Sequence, residues 1–186
     1  MDARGKVVVN RATSLDGFIG SRPDAGPDAP RWPRVNTYVP ADVIAEVAAE
    51  TGAMLVGRRT WDVGDEMEEE EPGSVDYPFD GAMFLLTNRP PDPPLEGVTI
   101  LSGDIGDAVA TALAAAGDRN LEILGADVAT QCLQRGLVDE LLVYVLPFLF
   151  GDGVHYSAAG LTPVHLEPLS SRQAGDVTVL RFRVRK

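Results

Sequence analysis

Hydrophobic residues along this chain fall into short segments with two different spacings. Uninterrupted apolar runs rich in β-branched residues are typical of strands buried on both faces, and apolar residues three and four positions apart are typical of amphipathic helices. The predicted strands are 7–12, 53–56, 82–86, 98–101, 121–124 and 140–146. The predicted helices are 40–51, one beginning near 58–60, 105–116 and 127–135. This alternation of strand and helix predicts a central, largely parallel sheet between layers of helices.

Three segments depart from the alternation. Residues 164–169 and 177–184, on either side of Ala174-Gly175-Asp176, predict an antiparallel hairpin attached to the sheet. Residues 21–37 are rich in proline and predict a long irregular loop, and the acidic run 65–71 predicts a solvated segment. No segment of the 186 residues has the character of a linker to a second domain, so we expect a single domain over 1–186.

Charge and cysteine content narrow the classes of partner. A net charge of -12 gives a surface that repels phosphate backbones, which excludes long nucleic acid and anionic membranes as expected partners. One cysteine, Cys132, allows neither an intrachain disulfide nor a thiolate-cluster metal site, and we expect no metal. No apolar run approaches the roughly 18 residues that span a bilayer, and no apolar leader is visible, so a cytoplasmic location is expected.

Three strand ends carry residues suited to an anion. Gly57-Arg58-Arg59-Thr60 and Leu124-Gly125-Ala126-Asp127 each join a strand to a helix, where free N–H groups and the helix dipole favour a phosphate. Thr87-Asn88-Arg89 ends another strand with polar and cationic side chains. These segments, called the anion turns below, together predict a dinucleotide across the sheet edge, although each alone is also compatible with a structural role. The fingerprints G-x-G-x-x-G and G-x-x-x-x-G-K-[ST] are absent.

The order of motifs resembles the dihydrofolate-reductase-like superfamily, and within it the stand-alone riboflavin-biosynthesis pyrimidine reductase (RibD C-terminal) domain family. The segments that carry the resemblance are Ser14-Leu15-Asp16-Gly17-Phe18-Ile19-Gly20, Gly57-Arg58-Arg59-Thr60-Trp61, Gly136-Leu137-Val138-Asp139-Glu140-Leu141, Val145-Leu146-Pro147 and Gly151-Asp152-Gly153. The resemblance covers nearly the whole chain and implies a three-layer α/β/α sandwich of the dihydrofolate-reductase-like type, with a C-terminal antiparallel hairpin. The zinc deaminase signature of the bifunctional riboflavin enzymes, H-x-E followed by P-C-x-x-C, is absent.

The same resemblance implies an NADPH-dependent reductase that transfers a hydride to a C=N bond of a pterin, pyrimidine or related small heterocycle. It assigns Thr60 to a phosphate, and Arg58, with Arg59 or Arg89, to the 2′-phosphate. Ala126 departs from the family, which commonly has a glycine pair there. The full set of implied cofactor contacts is Thr13, Ile19, Gly20, Gly57, Arg58, Arg59, Thr60, Thr87, Asn88, Arg89, Gly125, Ala126, Asp127 and Val128.

Four residues are candidates for the substrate side. The segment around Asp42 resembles the helix entry of folate reductases, whose carboxylate holds the amino-pyrimidine ring, so Asp42 is the candidate catalytic residue. An acid in the first turn of a helix is also favoured by the dipole whatever the function. Trp32 and Phe148 are candidate walls of a flat aromatic pocket. Asp16 is a further substrate-binding candidate, and its alternative role is to order its own loop.

Two other functions remain open at this stage. One is a pyridine-nucleotide-binding protein that senses or sequesters the cofactor without turnover, and the other is a structural or assembly role. The terminal hairpin and an exposed sheet edge also favour a homodimer.

Overall fold

Strands and helices alternate along most of the chain in the computed structural model, which describes residues 5–22, 24, 26, 32–70, 77–156 and 161–186. The strands are β1 (Val7–Ser14), β2 (Phe18–Gly20), β3 (Thr51–Gly57), β4 (Ala82–Leu86), β5 (Val98–Leu101), β6 (Asn120–Leu124), β7 (Glu140–Leu146), β8 (Val154–His155), β9 (Leu166–Ala174) and β10 (Val177–Val184). The helices are α1 (Ala41–Glu50), α2 (Arg58–Glu70), α3 (Ile105–Ala116) and α4 (Ala126–Gln134), with one 3-10 turn at Val35–Thr37.

One 8-stranded sheet runs through the molecule in the order β5-β4-β3-β6-β1-β7-β10-β9. The six strands from β5 to β7 are parallel to their neighbours, whereas β10 is antiparallel to both β7 and β9. This confirms the predicted parallel sheet with a C-terminal hairpin. The short strands β2 and β8 pair separately in an antiparallel arrangement.

Helices cover both faces of the sheet. On one face α3 and α4 bury Ala112, Ala129 and Cys132 against the apolar side chains of β1, β3 and β6. On the other face α1 buries Val43 and Val47 against β1, β7 and β10. Two apolar layers on opposite faces of one sheet make the three-layer α/β/α sandwich that the resemblance implied.

Several predicted elements match the observed bounds, because strong local signals mark their ends. Helix α3 is an example: the Asp104 carboxylate accepts hydrogen bonds from the N–H groups of Gly106 and Asp107, and Gly117 ends the helix at a φ of 65°. The other predictions with matching bounds are Ala82–Leu86, Val98–Leu101, Glu140–Leu146 and Val177–Val184.

Other predicted bounds were wrong. Pro40 was expected to be the first helical residue, but its ψ of 143° is extended, so it precedes α1 as the N-cap. The first hairpin strand was expected at 164–169 and lies at Leu166–Ala174. The second half of that strand is polar because β9 is an edge strand exposed along most of its length, and it therefore lacks an apolar pattern.

The acidic run and the proline-rich loop are both more ordered than expected. Residues 65–70 are solvated as expected, since all but Met67 are exposed, but they continue helix α2. The loop expected over 21–37 contains the 3-10 turn Val35–Thr37. Pro23, Pro27, Pro30 and Glu71 lie outside the described residues. Within the described part of the chain, no helix combines the length and apolar character needed to cross a bilayer.

Candidate functional site

The three anion turns lie side by side at one edge of the sheet. They follow the C-terminal ends of β4, β3 and β6, which are adjacent and parallel. Gly57 is opposite Leu86 in the register, and Val56 is opposite Leu124, so the three strands end at nearly the same level. Neighbouring strands are about 4.8 Å apart, so the turns span about 10 Å, a distance that one dinucleotide can cover.

Two of the anion turns touch through their glycines. Gly125 has a φ of 107°, which favours glycine, and a Cβ at this position would lie 2.8 Å from Oγ1 of Thr60. A Cβ on Gly57 would lie 2.8 Å from Cγ2 of Val128. Val128 is itself buried, and its side chain packs directly against the turn at Gly57. The absence of a side chain at both glycines therefore lets the two turns approach Thr60 and Val128 closely, and any Cβ would clash there.

Arginine side chains connect these turns, but not in the way the sequence suggested. Arg58 donates from Nε to Oδ1 of Asp62 at 2.7 Å and from Nη1 to the carbonyl oxygen of Arg89 at 2.9 Å. Arg59 donates to the carbonyl oxygen of Ser21 at 3.0 Å. The Arg89 side chain is exposed and, among the described residues, has no hydrogen-bond or ion-pair partner. Arg89 is thus the guanidinium most available to an added phosphate.

The remaining side chains of the anion turns are mostly held by local contacts. The hydroxyl of Thr87 accepts a hydrogen bond from the N–H of Arg89 at 3.0 Å, which closes a tight turn. Asp127 accepts from Gln131 at 3.0 Å along α4. Asn88 is exposed, and its side-chain oxygen accepts a long hydrogen bond of 3.5 Å from the N–H of Gly103. These contacts hold the Thr87 and Asp127 side chains locally, whereas Asn88 is held only weakly.

Asp16 joins the loop after β1 to the loop after β7. One carboxylate oxygen accepts hydrogen bonds from the N–H of Phe150 at 3.0 Å and from the Ser14 hydroxyl at 2.6 Å, and the other accepts from the N–H of Gly151 at 2.8 Å. These bonds, that from Phe150 foremost, lower the pKa of Asp16 to about 2. Pairing of β2 with β8 joins the same two loops: Phe18 and Gly20 pair with His155 and Val154, and Ile19 lies between the two pairs. The structure therefore favours the loop-ordering role of Asp16.

Four aromatic side chains, called the aromatic cluster below, meet beside these loops: Trp32, Tyr38, Phe148 and Phe150. The ring centroids of Trp32 lie 5.7 Å from Phe148 and 5.2 Å from Phe150, and those of Tyr38 and Phe148 lie 5.7 Å apart. Such distances are direct packing contacts. Trp32 and Phe148 are thus neighbours, as expected for two walls of one aromatic surface.

Strand β1 separates the aromatic cluster from the anion turns. Phe148 follows β7, and β1 lies between β7 and β6 in the sheet. Near the end of β1, Thr13 is buried and its hydroxyl donates to the carbonyl oxygen of Ser14 at 3.0 Å. The C-terminal edge of the sheet therefore has a polar, glycine-rich half and an aromatic half, with the end of β1 between them.

A family model for the RibD C-terminal domain matches residues 80–180, which is more than half of the chain. The chain belongs to the RibD C-terminal domain family. The matched span includes the anion turns after β4 and β6, and it ends within β10. A search of curated proteins by sequence finds no match.

Solved structures share the fold of this RibD C-terminal domain at low sequence identity. A protein assigned to riboflavin biosynthesis from Shewanella sp. PV-4 is 22% identical, with a TM-score of 0.73 over 97% of this chain and 99% of that one. The riboflavin biosynthesis reductase of Saccharomyces cerevisiae is 15% identical, with a TM-score of 0.61 over 100% and 92% of the two chains. A diaminohydroxyphosphoribosylaminopyrimidine deaminase/5-amino-6-(5-phosphoribosylamino)uracil reductase from Thermotoga maritima is 14% identical, with a TM-score of 0.64, and the match covers 98% of this chain but 57% of that one.

Asp42 makes no contact with either half of the edge among the described residues. It is exposed in the first turn of α1 and makes no hydrogen bond or ion pair with the described residues. Residues four apart share a helix face, and Glu46 pairs with Arg172 of β9 at 2.6 Å. Asp42 therefore lies on the side of α1 that faces the terminal hairpin. Its catalytic role stays a prediction that no contact in the structure supports.

Sequence reasoning missed a buried carboxyl group in the centre of the sheet. Glu122 is 1% exposed and accepts hydrogen bonds from Asn10 at 2.6 Å and from the Tyr77 hydroxyl at 3.3 Å. Burial raises the pKa of Glu122 to about 7. The available signal was an acid between Leu121 and Ile123 in a strand that is otherwise apolar. Among the described residues, no group of His, Cys, Asp and Glu is placed to hold a metal ion.

Proposed function

We propose that this chain is an NADPH-dependent reductase that transfers a hydride to a C=N bond of a pterin, pyrimidine or related small heterocycle. The observation that carries the proposal is the adjacency of the three anion turns on β4, β3 and β6. In an open parallel sheet this edge is the usual position for a nucleotide. Membership of the RibD C-terminal domain family supports a pyrimidine-reductase-like activity.

The residues present fit the dinucleotide. Thr60 offers an exposed hydroxyl, and the missing Cβ of Gly125 lets the backbone at the start of α4 lie close beside it. Gly125 precedes helix α4 as its N-cap and supplies no side-chain cap, so the first N–H groups of the helix are free for an anion. The exposed guanidinium of Arg89 would hold the 2′-phosphate that distinguishes NADPH from NADH. Ala126 adds only a methyl group to this turn.

When bound, the nicotinamide supplies the hydride, and the chain's residues position the two reactants. The Trp32 ring of the aromatic cluster is inclined by 59° to that of Phe148 and by 73° to that of Phe150, and an individual ring face offers an apolar surface against which a heterocycle can stack. The joined loops after β1 and β7 hold Phe148 and Phe150 of that surface in place through Asp16. Orientation of this kind, rather than a reactive protein side chain, is what hydride transfer requires of the chain.

Reduction of a C=N bond also needs a proton on the nitrogen. Asp16 is not its donor, because a pKa of about 2 keeps this carboxyl group ionised at neutral pH. Asp42 and bound water remain as sources, and the substitution Asp42→Asn distinguishes them. If Asp42 supplies or relays the proton, kcat falls by about 100-fold, within the range of general acid catalysis. If water supplies it, kcat is unchanged and Asp42 has no part in the reaction.

A second candidate function is a pyridine-nucleotide-binding protein without turnover. The observation that favours it is the position of Asp42, which is exposed and faces the terminal hairpin. Such a protein would bind NADPH at the anion turns but would not oxidise it, whichever heterocycle is added.

Ligand-dependent thermal unfolding tests the cofactor, and NADPH oxidation tests the reaction. NADPH at about 100 times its Kd should stabilise the fold by about 2.7 kcal/mol, which is about 5 to 10 °C in Tm for a domain of this size. NADH should give a smaller shift. Absence of any shift with NADPH would overturn the proposal, whereas a shift without oxidation by any pterin or aminouracil would favour the second candidate.

A further inference from the structure

Arg11 in β1 carries a buried positive charge that no acid balances. The residue is 7% exposed and points to the face of the sheet that α4 covers. Among the described residues, no carboxylate lies within ion-pair distance of its guanidinium. The partly buried Arg181, by contrast, pairs with Glu50 at 2.7 Å and Glu140 at 3.4 Å. A buried guanidinium without an acid is costly, so its retention calls for a physical reason.

Neutral groups surround this guanidinium. It donates to the carbonyl oxygen of Tyr156, and its carbon lies 5.1 Å from the centre of the Tyr156 ring. A second nitrogen donates to the carbonyl oxygens of Gly125 at 3.3 Å and Ala126 at 3.4 Å. Its Nε, also buried, has no hydrogen-bond partner. The charge is therefore solvated by carbonyl groups and one ring, and no acid among the described residues neutralises it.

Two of these contacts reach the backbone of an anion turn, whose carbonyl oxygens also accept from the N–H of Ala129 at 3.1 Å and from the hydroxyl of Thr130 at 2.8 Å. The C=O and N–H groups of a trans peptide point in opposite directions. When the carbonyls of Gly125 and Ala126 point to Arg11, the N–H groups of Ala126 and Asp127 point away from it, toward the open start of α4. No side chain caps these N–H groups. Arg11 thus lies behind the turn, with the free donors on the other side.

We propose that Arg11 is a positioning residue of the cofactor site, which holds the Gly125–Ala126 backbone so that its N–H groups face the pyrophosphate and places a positive charge behind them. This inference rests on the proposed function, because it requires a dinucleotide at the anion turns. The chain's net charge of -12 makes a local cation valuable to an anionic ligand. Since the charge is buried, dissolved ions screen it less than they screen Arg89.

Two substitutions and one matched control test the proposal. Arg11→Met keeps an unbranched apolar stem but removes the charge and the hydrogen-bond donors. Arg11→Lys keeps the charge but loses the planar pair of guanidinium donors. Arg181→Met removes another partly buried arginine that lies on the opposite face of the sheet. Calorimetric titration with NADPH and with NADH gives each Kd, circular dichroism and thermal unfolding report the fold, and steady-state kinetics separate KM from kcat.

Arg11→Met should weaken NADPH and NADH binding equally, by about tenfold or more, because the pyrophosphate is common to both cofactors. KM for NADPH should rise more than kcat falls, and Arg11→Lys should recover part of the affinity. Arg181→Met should lower stability without changing either Kd. A folded Arg11→Met protein that binds NADPH as the unsubstituted chain does would overturn the role of Arg11 alone. Failure of the unsubstituted chain to bind NADPH would overturn the proposed function, and this inference with it.

If Arg11→Met does not fold, the unsubstituted protein still decides the matter by nuclear magnetic resonance. Adding NADP⁺ should shift the signals of Arg11 Nε–H and of the N–H groups of Ala126 and Asp127. Binding of NADP⁺ that leaves the Arg11 Nε–H signal unchanged would overturn the proposal.

Discussion

The two halves of the sheet edge are built in different ways. Each anion turn is three or four consecutive residues at the end of one strand, so its chemistry is written in a local stretch of sequence. The aromatic cluster instead unites Trp32 and Tyr38, which precede α1, with Phe148 and Phe150, which follow β7. A turn of consecutive residues suits a cofactor that many enzymes share. A surface assembled from two distant segments can change its shape through substitutions in either segment, and so can suit different substrates.

The two halves should also differ in what they do for stability. Thr60, Asn88 and Arg89 are exposed and contribute little to the core. Trp32 and Phe148 pack against the buried apolar layer under α1. Substitutions in the anion turns should therefore weaken ligand binding more than folding, and substitutions in the aromatic cluster should do the reverse.

The largest effect is expected from Gly125→Val. A β-branched residue at a φ of 107° is strained, and its Cβ would lie 2.8 Å from the Thr60 hydroxyl. The clash and the strain displace the turn that carries the proposed phosphate donors, which should weaken NADPH binding by about 100-fold, or about 3 kcal/mol, as measured by calorimetric titration. Gly117→Val is the matched control, since Gly117 has a φ of 65° but nothing within 4 Å of its Cβ position. It should reduce stability and leave the Kd for NADPH unchanged; equal losses of affinity in both variants would contradict the account.

The next effect concerns the pH dependence of stability, through Glu122 in the centre of the sheet below both halves of the edge. Folding raises the pKa of Glu122 from 4.5 to about 7, so the folded chain holds this proton more tightly than the unfolded chain. Protonated Glu122 therefore makes its full contribution to the free energy of unfolding below pH 4.5. That contribution, about 3 kcal/mol in total, is lost as the pH rises through 7. Denaturant unfolding across this range should show the decline.

Glu122→Gln, which keeps the shape of the side chain without its titration, should remove that decline. The lowered pKa of Asp16, about 2, makes the free energy of unfolding fall as the pH falls below about 4. The effects of Asp16 and Glu122 on stability therefore occur in different pH ranges. The same decline in the glutamine variant as in the unsubstituted protein would assign the titration to another group.

A smaller effect is expected at Arg89. Arg89→Gln should weaken NADPH binding by about tenfold, or about 1.4 kcal/mol, and leave NADH binding unchanged, because only NADPH carries the 2′-phosphate. Arg185→Gln makes the same change of charge at an exposed residue just after β10, at the opposite edge of the sheet. Equal losses for NADPH and NADH would show that Arg89 does not select between the cofactors.

The smallest effect on the cofactor is expected from the aromatic cluster. Trp32→Leu should leave the Kd for NADPH within about twofold while it lowers the free energy of unfolding by about 1 to 3 kcal/mol, a usual loss for a packed side chain. Titration and denaturant unfolding of the same preparation give both numbers. A loss of NADPH affinity as large as that of Gly125→Val would mean that the two halves are not separate.

The sequence predicted the anion turns because the necessary signals are local. Apolar runs placed β3, β4 and β6, and the glycines and helix starts after them identified the turns. The adjacency of the three strands was not predictable in the same way, since β6 enters the sheet between β3 and β1 although β4, β5 and α3 precede it in the chain.

Features that depend on distant contacts were missed. The strands Phe18–Gly20 and Val154–His155 are too short to show a pattern and exist because they pair with each other. Arg58 has the residue type expected for a phosphate ligand, but the side chain of Asp62 pairs with it. Arg11 and Glu122 each sit in an apolar strand, where a charged side chain is informative only once its neighbours are known.

A crystal structure of the chain with NADP⁺ tests the central claim most directly. The account predicts the pyrophosphate within about 3 Å of the N–H groups at the start of α4, with the Thr60 hydroxyl beside it, the 2′-phosphate at Arg89 and the nicotinamide directed toward the aromatic cluster. A cofactor bound anywhere else on the surface, with the three anion turns unoccupied, would contradict it.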